Sequence, residues 1–130
     1  AMCLEGSLKL KEIYYIIRVA YQSWELKHGT ISLIEENTPV IAISTDEELT
    51  EKTISNIKEV KARGAYTLFL TNEDINADFY DEKIIIPKTN ELLQQLLTII
   101  PLQLIAYEVA KLNKCDIDKP RNLAKSVTVE

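Results

Sequence analysis

The chain has 130 residues, of which 46% are hydrophobic and 27% are charged, and its formal net charge is -5 at pH 7. This mixture is typical of one soluble globular domain with a single core. Because the net charge is negative, electrostatic attraction to nucleic acid or to an anionic membrane is not expected, so we expect neither as a partner. The locally basic run at 58–63 fits the solvated face of a helix.

The first predicted elements are a helix and a strand. Apolar side chains recur at helical spacing from Leu4 to about Tyr21, which predicts a long first helix. The run P-V-I-A-I-S at 39–44 is apolar, rich in β-branched residues and bounded by Pro and Asp, so it predicts a buried strand.

A second helix is predicted from about Glu47 to Arg63. Thr45 or Asp46 supplies the side-chain oxygen that caps its first turn, and Gly64 ends it. Three side chains of this helix are expected to point inward: Ile54, Ile57 and Val60.

The remaining predicted elements are two strands and a long helix. The second strand covers 66–71 and the third covers 83–87, after a polar loop. The last helix runs from about 90 to 113, and Pro101 inside it should bend it because one backbone hydrogen bond is lost.

Strands that read as continuous apolar runs and alternate with helices indicate an α/β protein with a parallel sheet of the doubly wound class. Such a sheet normally begins with a strand and a glycine-containing turn before its first helix, whereas this chain opens in a helix. We therefore expect that the first strand is missing and that the chain was cut from a longer polypeptide.

No membrane segment, leader or metal site is predicted. The longest apolar stretch, 96–107, is interrupted by Thr, Pro and Gln residues and is judged too short to span a bilayer, and no secretory signal precedes it. Cys3 and Cys115 lie far apart, and the chain has a single histidine, so neither a disulfide framework nor a zinc site is indicated. A cytoplasmic location is the default expectation.

Lys125 is a candidate nucleophile, because it lies in the otherwise uncharged run L-A-K-S-V-T-V near the carboxyl end. A lysine whose pKa is depressed by desolvation forms a Schiff base with a substrate carbonyl group and turns the carbonyl carbon into an electron sink. The alternative is that Lys125 only extends along a docked tail.

Other candidates lie on the first helix and in a loop. Glu5, Lys9 and Glu12 share a helix face, where a carboxylate beside an ammonium can move a proton between adjacent carbons of a substrate. The alternative is an exposed set of ion pairs with no catalytic role. His28 precedes Gly29, and a loop imidazole with a pKa near neutrality can take a proton from a substrate hydroxyl group. The alternative is a surface histidine with no catalytic role. No nucleotide, acyl-transfer or calcium motif is present, so no cofactor is expected.

The order of four segments carries a family resemblance. The segments are L-E-G-S-L-K-L-K-E-I, E-L-K-H-G-T-I-S-L-I-E, P-L-Q-L-I-A-Y and the closing D-K-P-R-N-L-A-K-S-V-T-V-E. In this order they resemble the C-terminal sugar isomerase (SIS) domain of bacterial glutamine:fructose-6-phosphate aminotransferases. The resemblance implies a three-layer α-β-α, flavodoxin-like SIS fold. It also implies that residues 1–130 form a single second SIS domain, truncated at its amino end, with a tail from about 114 to 130.

The resemblance also implies a role for each matching residue. Lys125 corresponds to the lysine that forms a Schiff base with fructose 6-phosphate, and Glu12 to the carboxylate that moves a proton between C1 and C2. His28 corresponds to the ring-opening histidine that reaches the active site of the neighbouring subunit of a homodimer. Lys9 supports the acid-base site, and the backbone of Ala124 lies against the sugar.

The chain departs from the family pattern between Ile17 and Trp24, where a polar helix end has become more apolar. The indole of Trp24 is expected to restrict the loop that carries His28. The family's glutaminase domain and its first SIS domain, which grips the phosphate, are absent, so little turnover is expected from the chain alone. The alternative function is a non-catalytic SIS module that binds a sugar phosphate or dimerises.

Overall fold

The computed structural model describes residues 2–14 and 30–118. Its elements are α1 (Met2–Tyr14), a short 3-10 helix (Thr30–Leu33), β1 (Pro39–Ser44), α2 (Glu47–Lys61), β2 (Tyr66–Thr71), β3 (Glu82–Ile85) and α3 (Glu91–Leu112). The predicted order of helices and strands is confirmed, and β1 and β2 have the predicted bounds. The part of the first helix predicted beyond Tyr14 lies outside the described residues.

The three strands form one parallel sheet in the order β1-β2-β3. Pro39 of β1 is in register with Tyr66 of β2, and Leu68 of β2 is in register with Glu82 of β3. The predicted α/β class with a parallel sheet is therefore confirmed. Within the described residues β1 and β3 are the two edge strands, and the expectation of an earlier strand stays a prediction.

The chain divides into two compact units, one with residues 1–20 and 99–130 and the other with residues 21–98. The second unit contains the sheet and a core around β2. Phe69 of β2 is fully buried, and the centre of its ring lies 5.6 Å from the centre of the Phe79 ring in an edge-to-face arrangement. Ile57 and Val60 of α2 are buried as predicted, whereas Ile54 is half-buried.

Helix α2 begins and ends at residues that the sequence marks. The Asp46 carboxylate accepts a hydrogen bond from the backbone N–H of Glu48 at 3.0 Å, which makes Asp46 the N-cap. After the helix, Gly64 adopts a φ of 89°, a conformation that favours glycine. A β-carbon on Gly64 would lie 3.0 Å from the Cα of Glu36, so the tight space as well as the backbone conformation favours glycine there.

Helix α3 is a continuous helix of 22 residues with Pro101 inside it. It is the one helix in the described part of the chain that is long and apolar enough to cross a bilayer, by length and composition alone. The helix is longer than the apolar run 96–107, because Thr98, Pro101 and Gln103 do not interrupt it. Core helices meet the same criterion, so α3 is not assigned to a membrane. The bend at Pro101 stays a prediction.

Within the first unit, α1 and the second half of α3 approach closely. Gly6 is buried, and a β-carbon added to it would lie 2.9 Å from Leu102 Cδ1. The absence of a side chain at Gly6 therefore lets the two helices approach, and this contact fixes the face that α1 turns to α3.

Candidate functional site

Helix α1 carries two of the five predicted site residues. Lys9 Nζ lies 3.5 Å from Glu5 Oε1, an ion pair between residues four apart on one helix face. Glu12 lies three residues further along the same helix, and its side chain is outside the described part of the structure. The helix predicted to present these residues is confirmed, and the catalytic geometry at Glu12 stays a prediction.

The other three predicted site residues, His28, Ala124 and Lys125, lie outside the described residues. The structure therefore tests neither their roles nor their distances from Lys9 and Glu12. The structure does describe the support of α1: Gly6 contacts Leu102, and this contact holds the helix that carries Glu5 and Lys9.

The carboxyl ends of the strands form a second polar region, at the edge where open α/β sheets bind ligands. Ser44 at the end of β1 and Thr50 of α2 are buried, and their hydroxyl oxygens lie 3.0 Å apart. The Thr50 hydroxyl also lies 2.9 Å from the Asp46 carbonyl oxygen, to which it donates a hydrogen bond. These hydroxyls are used to hold α2 against β1 and are not directed at an open ligand site.

Charged side chains at the same edge are exposed and paired. Lys88, which follows β3, forms an ion pair with Glu47 at the start of α2. The hydrogen bond with Lys88 lowers the pKa of Glu47, and the hydrogen bond with Glu47 raises the pKa of Lys88. Sequence reasoning did not select this pair, although polar residues directly after parallel strands are a recognisable signal. In the described ranges, His, Cys, Asp and Glu residues form no cluster that would hold a metal ion.

Asp81 joins three elements just before β3 begins. Its Oδ2 accepts hydrogen bonds from the backbone N–H of Thr67 at 2.7 Å and from the Thr67 hydroxyl at 2.8 Å. Its Oδ1 accepts a hydrogen bond from Lys61 Nζ at 3.1 Å. The backbone and hydroxyl donors of Thr67, followed by Lys61, lower the pKa of Asp81. This carboxylate holds β3 to β2 and α2, which is a structural role.

Lys83 of β3 holds the loop between β2 and β3. Its Nζ donates hydrogen bonds to Asp74 Oδ1 at 2.6 Å, to Asn76 Oδ1 at 2.8 Å and to the carbonyl oxygen of Ile75 at 3.0 Å. The same ammonium lies 5.6 Å from the centre of the Tyr80 ring. The hydrogen bond to Asp74 is the main cause that raises the pKa of Lys83. The polar loop predicted from the sequence is therefore anchored by one lysine.

Comparisons with known proteins place the chain in a family. Residues 1–112 match the model of the SIS domain. The chain is 58% identical, over its whole length, to the glutamine--fructose-6-phosphate aminotransferase [isomerizing] of Clostridium tetani, and 54% identical to the enzyme of that name from Caldanaerobacter subterraneus. In both cases it spans 22% of the relative's length.

Two solved structures have folds similar to that of this chain. The C-terminal domain of glucosamine-fructose-6-phosphate aminotransferase from Francisella tularensis has a TM-score of 0.83 and 38% identity, over 91% of this chain and 34% of that one. A glucosamine-6-phosphate deaminase from Thermotoga maritima has a TM-score of 0.75 and 26% identity, over 97% of this chain and 36% of that one. The resemblance stated from sequence motifs is thus confirmed by family model, relatives and fold, and the chain belongs to the SIS domain family.

Proposed function

We propose that the chain is the part of a glutamine:fructose-6-phosphate aminotransferase that isomerises the sugar phosphate. The whole enzyme would transfer the amide nitrogen of glutamine to fructose 6-phosphate and yield glucosamine 6-phosphate and glutamate. The observation that carries this proposal is the identity of more than half of the residues, over the whole chain, with several enzymes of that name. Because the chain spans about a fifth of these relatives, the remaining steps would belong to other parts of the polypeptide.

In this proposal Lys125 is the nucleophile. Its neutral amine attacks the ketone carbon of the open-chain sugar phosphate, and loss of water leaves a protonated imine. The imine withdraws electrons from the neighbouring carbon and so acidifies the hydrogen that isomerisation must move. The uncharged neighbours of Lys125 in the sequence would favour the neutral amine by excluding water. The backbone of Ala124 would lie against the sugar.

Glu12 would carry the proton between C1 and C2, first as a base and then as an acid. Its place on α1, three residues after Lys9, supports this role because the Gly6 contact with Leu102 gives the helix a fixed support. Lys9 would sustain the acid-base site through its charge. His28 would open the sugar ring in the active site of the neighbouring subunit, so the working unit is a homodimer.

The second candidate is a non-catalytic SIS module that binds a sugar phosphate or assembles with a partner. One observation favours it: Lys9 pairs with Glu5 four residues away, as lysines do on ordinary helix surfaces. In both candidates the chain is one SIS domain that includes a tail from about 114 to 130, acts in the cytoplasm and binds a sugar phosphate.

Borohydride trapping distinguishes the candidates. The chain is joined to the preceding part of the Clostridium tetani relative, so that a phosphate-binding site is present. The fusion protein is mixed with fructose 6-phosphate and reduced with borohydride. Peptide mass spectrometry should find a reduced sugar adduct on Lys125 and none on Lys119 or Lys114. Lys125→Arg keeps the charge but forms no imine, so it should abolish the adduct. Glu12→Gln should retain the adduct and lose C1–C2 proton exchange with deuterated water. Sugar phosphate binding without an adduct at Lys125 would favour the non-catalytic module.

A further inference from the structure

A shallow pocket lies beside the carboxyl-terminal end of α2. It has a volume of 330 Å³ and is lined by Lys58, Lys61, Ala62, Asp78 and Phe79. The first three lie on one face of the helix end, because they are three and four residues apart. The last two belong to the loop before β3. The volume is at the lower end of the range for small-molecule sites, so an occupant must be small.

Contacts outside the pocket hold its walls in place. Phe79 is 5% exposed, and its ring packs edge-to-face against the rings of Phe69 and Tyr80. The Lys61 ammonium donates a hydrogen bond to Asp81 Oδ1 at 3.1 Å, so its charge is already balanced within the chain. The pocket therefore needs little rearrangement to accept a ligand.

Two opposite charges at this pocket are not balanced by the chain. Lys58 and Asp78 are exposed. Across residues 2–14 and 30–118, neither side chain forms an ion pair or a hydrogen bond, with the other or with a third residue. An anionic ligand would also face the Asp78 carboxylate, and a cationic ligand would also face the Lys58 ammonium. A ligand that carries both charges complements both side chains.

We propose that this pocket binds a free α-amino acid with an uncharged side chain. The carboxylate of the ligand pairs with Lys58, its ammonium group pairs with Asp78, and its side chain lies on the apolar surface of Phe79 and Ala62. Because Lys58 and Asp78 are exposed, each ion pair contributes little, and the dissociation constant lies in the millimolar range. No residue of the pocket is among the predicted site residues, so the failure of either proposal leaves the other standing.

A nuclear magnetic resonance titration of the isotope-labelled chain with L-leucine tests the site. L-leucine should shift the amide signals of residues 58–62 and 78–79 in a saturable manner. Two analogues separate the contributions of the two charges: isocaproate lacks the ammonium group of leucine, and isoamylamine lacks its carboxylate. Each analogue should bind at least about threefold more weakly than L-leucine, because one ion pair is lost and one charge of the pocket is left facing a like charge or none.

Substitutions locate the site. Lys58→Met keeps the length of the side chain and removes its charge, and Asp78→Asn removes the opposite charge. Each should weaken L-leucine binding at least about threefold. Lys52→Met is the matched control and should leave binding unchanged, since Lys52 is exposed on the same helix but points about 120° away from Lys58. The amide spectrum of each variant verifies its folding.

Three outcomes would overturn the proposal. The first is the absence of saturable shifts at residues 58–62 and 78–79. The second is binding of either analogue as tightly as L-leucine, which would mean that the pocket does not recognise both charges. The third is an equal effect of Lys58→Met and Lys52→Met, which would place the binding elsewhere.

Discussion

Leu102 of α3 fills the space in which a side chain at Gly6 of α1 would lie. A β-carbon on Gly6 would come within 2.9 Å of Leu102 Cδ1 and 3.3 Å of Leu102 Cβ. Glycine normally weakens a helix interior, by about 0.5–1 kcal/mol relative to alanine. Here glycine is favoured by the close approach of the two helices, because a β-carbon would have to displace the Leu102 side chain.

The first prediction concerns this contact. Gly6→Val should lower the free energy of unfolding by about 1–3 kcal/mol, because the added carbons overpack the site. Urea denaturation measures the change. Leu4→Val on the same helix is the control and should have a small effect, since Leu4 is 64% exposed. Combining Gly6→Val with Leu102→Ala should cost less than the two changes separately, and strict additivity would show that the two residues are not coupled.

The second prediction concerns the pH dependence that Asp81 contributes. Hydrogen bonds from Thr67 and Lys61 lower the pKa of Asp81 in the folded chain below its ordinary value of 3.8. The carboxylate's contribution is therefore complete at pH values above 3.8 and is lost as the pH falls from there through the folded pKa. Unfolding free energies measured at intervals from pH 6 to pH 2 should fall less steeply in Asp81→Asn than in the wild type.

A matched variant makes the result specific to the position. Asp78→Asn removes an exposed carboxylate three residues away, for which the structure gives no hydrogen bond to Thr67. Asp81→Asn should lower stability at neutral pH more than Asp78→Asn does, because an amide replaces the charged acceptor that serves three donors. Identical acid profiles of the wild type and Asp81→Asn would contradict the role assigned to this carboxylate.

The third prediction concerns the loop that Lys83 holds. Lys83→Met keeps the length of the side chain but removes all three donors, so Asp74, Ile75 and Asn76 lose a common partner. Amide hydrogen exchange over residues 73–80 should accelerate, while exchange in β2 should change little because that strand is paired on both sides. Lys52→Met, at an exposed position of α2, is the control. Unchanged exchange in the loop would mean that its own contacts order it.

The sequence predicted best the elements whose ends carry a distinct local signal. Pro39 opens β1, and Asp46 supplies the cap of α2, so both starts were found correctly. The third strand was placed at 83–87, but β3 is Glu82–Ile85. The apolar run continues to Ile86, whose backbone N–H still donates to the Thr71 carbonyl oxygen at 2.9 Å, so composition does not mark where the strand ends.

Interactions between distant residues were not predictable in this way. Lys83 reaches Asp74 only because the loop folds back on the strand, and Asp81 reaches Thr67 only because β3 pairs with β2. Helix α3 is apolar on all sides, so periodicity does not show that Gln94 is buried while Leu96 is exposed. The Gln94 amide lies inside because it accepts a hydrogen bond from the backbone N–H of Thr89 and donates one to the Pro87 carbonyl oxygen. For the site, the sequence identified the helix of Lys9 and Glu12 but not their surroundings.

The tight passage from α2 into β2 limits which amino acids the chain accepts at one position. Gly64 combines a left-handed backbone with a β-carbon direction that points at the main chain of Glu36, and its carbonyl oxygen accepts the Asn37 N–H at 2.7 Å. Rotating a neighbouring side chain relieves no clash there, because the obstacle is backbone. A library randomised at codon 64 and selected for folding should therefore return glycine almost exclusively, and asparagine, which tolerates left-handed geometry elsewhere, should be rejected on volume.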